Sequence, residues 1–217
     1  MTQRGPLVVL IGPPGAGKSA VGPLLAGRLG VEFRDTDADI DAVAGKPVSD
    51  IFIENGEEAF RELERSTAAR ALDEHGPLRS QGGVLALGSG AVLDAGIQSL
   101  LEGLPDRGGQ GERGAGAPRA RRLPGGSGGM ESPRGSAEPP PRASTVVYLS
   151  ADFSTVARRT GLDRPRVVVP GNPRGRLRAM LDERVAIYQR LAAVTVPTDD
   201  LDPDEIADQI AAEITTA

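Results

Sequence analysis

Residues 12–19, Gly-Pro-Pro-Gly-Ala-Gly-Lys-Ser, have the types and spacing of a phosphate-binding loop. Glycines let backbone N–H groups converge on phosphate oxygens, and the positive end of the following helix faces the same anion. Lys18 can reach the outer phosphates, and the Ser19 hydroxyl can bind Mg²⁺. An apolar run precedes the loop and a helical pattern follows it, which is the context that this motif requires. The residues therefore predict a site for a nucleoside triphosphate and Mg²⁺, not an ordinary glycine-rich turn.

The triplet Asp35-Thr36-Asp37 is a second group with chemical potential. It follows a short predicted strand, so it belongs at the carboxyl edge of the sheet, where sites in α/β proteins form. One carboxylate could hold Mg²⁺ through water while the other accepts a hydrogen bond from a substrate hydroxyl. Aspartate is also favoured in turns and at helix N-caps, so the triplet alone leaves both interpretations open.

Two arginines and a glycine turn form a third group. Arg61 and Glu64, three residues apart on a predicted helix, are either an exposed ion pair or a guanidinium that grips a substrate carboxylate. Residues 88–90, Gly-Ser-Gly, could offer backbone N–H groups to an anion or serve as a tight connection. Arg184, four residues before Tyr188, is either a second carboxylate clamp or a surface charge.

The stretch 158–165 contains Arg158, Arg159 and Arg164 in a short polar loop at the end of a predicted helix. Loops of this kind can close over phosphates and stabilise charge in a transition state. Arginines also suit the C-terminal end of a helix dipole, so a solvated helix end is the alternative.

Alternating strands and helices must position these residues. Five short apolar runs predict buried strands, and the segments between them predict helices. Repeated β–α units indicate an α/β fold with a parallel sheet covered by helices on both faces. The predicted strands are 7–11, 31–33, 84–87, 145–149 and 194–196. The predicted helices are 19–29, 48–54, 56–72, 95–101, 153–159, 174–191 and 203–214.

Composition indicates an unusual segment. The 217 residues include 29 glycines and 18 prolines, well above the average for a soluble protein. Residues 104–144 hold ten of the glycines and seven of the prolines and lack Val, Ile, Phe, Tyr and Trp, so they predict a disordered insertion. Strands of one sheet are expected on both sides, so we expect a single domain over residues 1–217. The alternative to a solvated linker is a basic nucleic-acid arm around Arg119, Arg121 and Arg122.

Several classes of protein are excluded. No apolar run approaches the ~20 residues needed to cross a bilayer, and the first residues do not form a signal peptide. The chain has no cysteine, which excludes disulfides and thiolate zinc sites, and its one histidine is His75. A net charge of −5 gives no general attraction to nucleic acid. We therefore expect a cytoplasmic protein without a membrane or nucleic-acid partner.

The motifs taken in order resemble the shikimate kinase family. The order is the phosphate loop, D-T-D, F-R-E-L-E at residues 60–64, a glycine turn after a buried strand, R-R-T-G followed by R-P, and E-R-x-x-x-Y. The resemblance covers nearly all of the chain outside residues 104–144. It implies a P-loop kinase with a central five-stranded parallel sheet, three layers (α/β/α) and a mobile lid. The implied reaction is ATP-dependent phosphorylation of the 3-hydroxyl of shikimate to shikimate 3-phosphate, on the route to chorismate and aromatic amino acids, by a monomer.

The resemblance also implies roles for single residues. Asp37 would hydrogen-bond the accepting hydroxyl and act as the base, with Lys18 and Arg164 as further catalytic residues. Ser19 and Asp35 would hold Mg²⁺. Glu64 would orient Arg61. The residues implied to bind ATP are Gly15, Ala16, Gly17, Lys18, Ser19, Ala20, Arg159 and Arg164, with Arg159 stacked on adenine and Arg164 in the lid. Those implied to bind shikimate are Asp37, Arg61, Gly88, Ser89, Gly90 and Arg184.

The sequence departs from the family pattern at several positions. Ser89 replaces the middle glycine of the turn and is expected to need a strained φ. Ala86 replaces a serine before the turn, and Pro23 is expected to kink the first helix. The lid carries Arg166 and Val167 after R-P and is shorter by about two residues. These departures keep two alternatives open, a related small-molecule kinase such as a gluconate kinase, and a nucleotide-binding module with weakened catalysis.

Overall fold

A computed structural model describes residues 5–46, 48–73, 76–104, 144–163 and 172–216. Within these residues, no helix combines the length and the apolar character that crossing a membrane requires. Residues 164–171, which include the predicted lid residues Arg164, Arg166 and Val167, lie outside the described residues.

Five parallel strands form one sheet in the order β2-β3-β1-β4-β5. The central strand β1 is fully buried and pairs with β3 and β4 on its two sides, so that Leu7 lies opposite Gly83 and Ser144. The strands are β1 (Leu7–Ile11), β2 (Glu32–Asp35), β3 (Gly83–Ala86), β4 (Ser144–Ser150) and β5 (Val194–Pro197). Since all run in one direction, their carboxyl ends share one edge of the sheet.

Eight helices and one short 3₁₀ turn, Ala91–Leu93, connect and cover these strands in the described residues. The helix Val48–Ala71 is interrupted at Gly56, whose φ of 81° is not helical, so the prediction of two helices meeting near residue 55 is confirmed. The helices are α1 (Lys18–Leu29), α2 (Thr36–Ala44), α3 (Val48–Ala71), α4 (Pro77–Gln81), α5 (Ala95–Glu102), α6 (Phe153–Arg159), α7 (Pro173–Leu191) and α8 (Pro203–Thr216).

The helices form a layer on each face of the sheet. Successive side chains of a strand point to opposite faces. Val9 and Ile11 accordingly pack in a core with residues of α3, α5 and α7. Val8 and Leu10 pack in a second core with residues of α1 and α8. The predicted three-layer α/β/α arrangement with a five-stranded parallel sheet is confirmed.

Helix α1 continues past Pro23 to Leu29, so the proline does not end the helix, and the expected kink stays a prediction. Proline removes one hydrogen bond in the second turn, but the residue before it is Gly22, which has no Cβ to meet the proline ring. Gly22 also lies against Phe33, where an added Cβ would overlap the ring. Gly22 therefore reduces the steric conflict with the ring of Pro23 and also lets α1 approach β2 closely.

Both ends of the predicted insertion belong to the ordered fold. Leu104 is buried in the core beside α5, and Ser144 is the first residue of β4. Residues 105–143 lie outside the described residues, so the expected disorder between these two positions stays a prediction. Because β4 pairs directly with β1, the segments before and after residues 105–143 contribute to the same sheet.

Candidate active site

The phosphate loop follows the central strand and begins at a close backbone contact. Gly12 has a φ of 148°, and a Cβ there would stand 2.5 Å from the carbonyl oxygen of Leu149 on β4. Gly17, with a φ of 97°, is the N-cap of α1 and makes no side-chain cap. Glycine tolerates both conformations, whereas other residues would be strained. The backbone N–H groups at the N-terminus of α1 therefore have no side-chain cap, and N–H groups in this arrangement can bind phosphate.

Lys18 lies across this loop. Its Nζ donates to the carbonyl oxygens of Gly12 at 2.8 Å and Pro13 at 3.1 Å. Burial lowers the pKa of Lys18 to about 8, an effect that the negative charges of Asp37 and Asp35 oppose. The cation is therefore held close to the loop and next to both carboxylates of the D-T-D triplet.

The triplet begins a helix that the sequence analysis missed. Asp35 ends β2 and caps α2, where its Oδ1 accepts a hydrogen bond from the Asp37 N–H at 3.0 Å. Its Oδ2 accepts from the Ser19 hydroxyl at 2.6 Å, which joins the triplet to the phosphate loop. Asp35 is therefore a helix cap and also a neighbour of Ser19, while a role of the triplet in binding Mg²⁺ or substrate stays a prediction.

Asp37 lies in the first turn of α2, at the carboxyl edge of the sheet, and is exposed. The pKa of Asp37 is raised to about 6, mainly by desolvation and next by the nearby charge of Asp35, against the opposing charge of Lys18. The residue is exposed by solvent accessibility, yet protein atoms crowd its carboxyl. A carboxyl with a pKa near neutrality suits a general base.

The glycine turn after β3 lies against Asp37, Arg61 and Glu64. A Cβ on Gly88 would stand 2.6 Å from Glu64 Oε1 and 2.8 Å from Asp37 Oδ1, and one on Gly90 would overlap the Arg61 guanidinium. Arg61 Nη1 donates to Glu64 Oε2 at 2.7 Å, and Glu64 is only 3% exposed. This ion pair is therefore half-buried and packed on the turn, not an exposed surface pair.

Arg184 reaches the turn from α7 on the other side. Its Nη1 donates to the Ser89 carbonyl oxygen at 3.1 Å and to the Ser89 hydroxyl at 3.4 Å. Arg184 is 8% exposed, and its buried Nε has no hydrogen-bond partner among the described residues. A buried guanidinium with a free donor is suited to an anion.

The expected backbone strain at Ser89 is wrong. Among the described residues, no residue other than glycine has a positive φ, so Ser89 fits its turn without left-handed geometry. The middle position of the turn accepts a side chain because its neighbours, Gly88 and Gly90, are the positions that lie against other groups.

Arg159, at the end of α6, crosses the phosphate loop. Its guanidinium donates to the Gly15 carbonyl oxygen at 3.2 Å and to both the hydroxyl and the carbonyl oxygen of Thr198, at 3.1 and 2.5 Å. Thr198 follows β5 and is fully buried. Arg159 itself is exposed.

The structure brings most predicted site residues to one cleft at the carboxyl edge of the sheet. The phosphate loop lies on one side, the glycine turn with its arginines on the other, and the D-T-D triplet between them. Ala16 is buried within the loop and Ala20 is exposed on the first turn of α1. Arg164 lies outside the described residues, so its place in the site is untested.

Sequence reasoning gave no role to two residues, Thr36 and Tyr188, that hold the site together. The Thr36 hydroxyl accepts a hydrogen bond from the Gly88 N–H at 2.8 Å and so ties the triplet to the turn. The Tyr188 hydroxyl donates to the Ser89 carbonyl oxygen at 2.7 Å. The position of Thr36 between two candidate residues could have indicated its role. The contact of Tyr188 with Ser89 spans 99 positions of sequence and left no local signal.

A separate cavity of about 530 Å³ lies at the opposite, amino edge of the sheet. Leu104 and Ser144 line it, together with the Glu102–Arg190 ion pair. It contains none of the predicted site residues, so it does not contribute to the cleft.

A phosphate loop after the central strand of this parallel sheet, with carboxylates at the end of the edge strand β2, defines the class of protein as a P-loop kinase. The chain belongs to the shikimate kinase family, because the sequence model of that family, "Shikimate kinase", matches residues 14–109 and 126–215. The predicted family is therefore confirmed.

Relatives and solved structures agree with this assignment. The chain is 43% identical to a shikimate kinase of Thermobifida fusca, over the whole of this chain and 99% of that one. It is 40% identical to a shikimate kinase of Salinispora arenicola, over 95% and 96% of the two chains. A shikimate kinase of Acinetobacter baumannii, solved in complex with shikimate, superposes with a TM-score of 0.68 at 28% identity, covering 97% of this chain and 93% of that one. A shikimate kinase of Bacteroides thetaiotaomicron shares the fold at a TM-score of 0.64 and 20% identity, covering 97% of each chain.

Proposed function

We infer that this chain transfers the γ-phosphoryl group of ATP to the 3-hydroxyl of shikimate, giving shikimate 3-phosphate and ADP. The observation that carries this inference is the cleft itself, in a chain that belongs to the shikimate kinase family. A phosphate loop, a carboxylate with a raised pKa and two guanidinium groups meet there around one glycine turn.

We propose that residues 15–20 bind the ATP phosphates. The N-terminus of α1 offers backbone N–H groups and a positive dipole end, and Lys18 adds a cation. Arg159 would stack on adenine, which its exposed guanidinium above the loop supports. Arg164 would complete the nucleotide site from the lid, a role that rests on the family pattern alone.

Mg²⁺ would be held by Ser19 and Asp35. Their oxygens lie 2.6 Å apart beside the phosphate loop, and hydroxyl and carboxylate oxygens are ligand types that Mg²⁺ prefers. In the described part of the chain, no three side chains of His, Asp or Glu gather into a metal cage. Two protein oxygens with water and substrate phosphates match the usual way this ion is bound. The bound ion would neutralise charge on the transferring phosphoryl group.

Arg61 and Arg184 would clamp the shikimate carboxylate, with backbone groups of residues 88–90 beside them. Arg61 is fixed by Glu64 and Arg184 by Ser89, so both guanidinium groups are oriented before substrate arrives. Oriented donors lose less entropy on binding than mobile ones.

Asp37 would accept the hydrogen bond of the 3-hydroxyl and take its proton during phosphoryl transfer. At a pKa of about 6 the carboxyl is mostly ionised at neutral pH and remains basic enough to accept a proton. Lys18, next to Asp37, would hold the phosphate that the hydroxyl attacks. Positioning and charge then supply most of the catalysis, as is general for phosphoryl transfer.

We also propose that residues 1–217 form one kinase domain with an insertion between Leu104 and Ser144. The pairing of β1 with β4 and the unmatched residues 110–125 of the family match support this. Replacing residues 106–142 by a short Gly-Ser linker should leave kcat and Tm near their original values, as measured by enzyme assay and calorimetry. A large loss of either would show that the segment is needed.

The remaining proposal is that the protein acts as a cytoplasmic monomer. The proposed site is complete within one chain, so catalysis needs no second copy. Light scattering coupled to size exclusion should give a mass near 22.5 kDa. A dimer mass would refute it.

The test of the function is ADP formation by the purified chain with Mg-ATP and one acceptor at a time. The acceptors are shikimate, gluconate and none, and the control variant is Lys18→Met, which removes the phosphate-binding cation. Of the three conditions, only the one with shikimate should produce ADP, and Lys18→Met should produce no ADP with any acceptor. ADP formation with gluconate would favour a related kinase, and no acceptor-dependent ADP would indicate a binding module.

A further inference from the structure

Tyr188 is the buried neighbour of the proposed carboxylate clamp. It lies four residues after Arg184, on the same face of α7, and it is fully buried. Its ring stacks on Tyr148 of β4, with ring centroids 5.1 Å apart. The ring is therefore held from two sides, by its own helix and by the sheet.

The hydroxyl of Tyr188 and the guanidinium of Arg184 share one acceptor. Both donate to the Ser89 carbonyl oxygen, at 2.7 and 3.1 Å. A backbone carbonyl has two lone pairs, so it can accept both bonds at once. Without the shorter bond, Arg184 would be the remaining hydrogen-bond donor to the Ser89 carbonyl among the described residues.

The position of that carbonyl has consequences on the other side of the turn. Because a trans peptide is planar, the Gly90 N–H points opposite to the Ser89 carbonyl. Gly90 lies directly against the Arg61 guanidinium, where an added Cβ would overlap it. Holding the Ser89 carbonyl toward α7 thus sets the direction of the Gly90 N–H and the surface on which Arg61 rests.

We propose that Tyr188 is a positioning residue for shikimate, which orients Arg184 and the 88–90 turn through its hydrogen bond to the Ser89 carbonyl. This inference rests on the proposed function of the cleft. Tyr188 acts on substrate affinity and not on the phosphoryl transfer step, because within the described residues its hydroxyl bonds to the turn and not to the phosphate loop or Asp37. The burial of its hydroxyl raises the pKa of Tyr188, so the group stays protonated and a donor at any working pH.

Tyr188→Phe tests the proposal because it removes the hydroxyl and keeps the ring. The matched control is Tyr148→Phe, which alters the other half of the same stack. Tyr148 is also buried but, within the described residues, makes no hydrogen bond to the turn. Both variants should fold, with Tm within about 4 °C of the original chain.

Steady-state kinetics and calorimetric titration then separate the outcomes. In Tyr188→Phe the KM and Kd for shikimate should rise about 3- to 10-fold, as expected for one lost hydrogen bond. Its kcat and its KM for ATP should stay within about twofold, since the lost bond supports shikimate binding equally in the ground state and the transition state. Tyr148→Phe should match the original chain in all four values.

Two results would overturn the proposal. Equal shikimate KM values in the two variants would show that the hydroxyl is not used. A parallel loss of kcat, ATP affinity and Tm in Tyr188→Phe would show a structural role alone. The proposed function fails separately, when the unmodified chain forms no ADP with shikimate.

Discussion

Asp37→Asn gives the most informative perturbation of the cleft. The substitution keeps the size of the side chain and its place in the first turn of α2 but removes the basic oxygen. With a pKa of about 6, about nine-tenths of the Asp37 carboxyl is ionised at pH 7. A general base contributes about 10²- to 10⁴-fold, which corresponds to about 3 to 5 kcal/mol of activation free energy. We expect kcat to fall by about 10³-fold.

The pH profile of the unmodified chain follows from two groups. Protonation of Asp37 should lower kcat/KM below a pH of about 6, and loss of the Lys18 proton should lower it above a pH of about 8. In Asp37→Asn the acidic limb should disappear while the alkaline limb remains. Stopped assays of ADP between pH 5 and 9 measure both limbs.

ATP binding and stability should respond in a defined direction. Asp37 carries a negative charge near Lys18, so its removal should leave ATP affinity equal or slightly tighter, as measured by calorimetry. The pKa of Asp37 is higher in the folded chain than its ordinary value of 3.8, so ionisation disfavours the fold as pH rises from about 4 to about 6. The Tm of Asp37→Asn relative to the original chain should therefore increase across that window.

The matched control is Asp41→Asn, an exposed carboxylate one turn further along α2. It should keep kcat near the original value. A fall in kcat of less than tenfold in Asp37→Asn, or an ATP affinity weakened tenfold, would refute the assignment of Asp37 as the base.

Further perturbations test the two sides of the cleft. Gly90→Ala places a Cβ on the Arg61 guanidinium and should raise the shikimate KM by about 10-fold or more. Its control is Gly27→Ala, on an open surface of α1, which should leave the kinetics unchanged and raise Tm slightly. An unchanged shikimate KM in Gly90→Ala would contradict the proposed clamp. Arg159→Ala removes three hydrogen bonds that join the phosphate loop to Thr198 and should raise the KM for ATP by about 10-fold without changing that for shikimate. Equal effects on both substrates would show that Arg159 does not act on the nucleotide.

The parts of the fold that sequence predicts best are those with strong local signals. The run 7–11 is apolar at every position and is the buried central strand. The phosphate loop is recognisable because glycine and lysine are required at fixed spacing. A break between helices 48–54 and 56–72 was predicted, and Gly56 at that break has a positive φ, which glycine tolerates. The predicted fold class, family and activity are confirmed by the comparisons.

Features with weak local signals, or with contacts between distant parts of the chain, were not predicted. Helix α2 was missed because its nine residues include four aspartates or threonines, and its start depends on the cap that Asp35 makes. The expectation of backbone strain at Ser89 was wrong. Which positions of the turn lack space for a side chain depends on the groups packed against the turn, and these lie against Gly88 and Gly90. The contact of Tyr188 with Ser89 is set by the packing of α7 on the sheet. The roles of single residues in binding and catalysis stay predictions.

The most direct measurement of the central claim is the ³¹P spectrum of the product formed from Mg-ATP and shikimate. We expect a new phosphate monoester signal that correlates with the proton on C3 of the shikimate ring. The amount of this product should equal the amount of ADP formed. Correlation with another ring proton, or ADP accompanied by inorganic phosphate alone, would contradict transfer to the 3-hydroxyl.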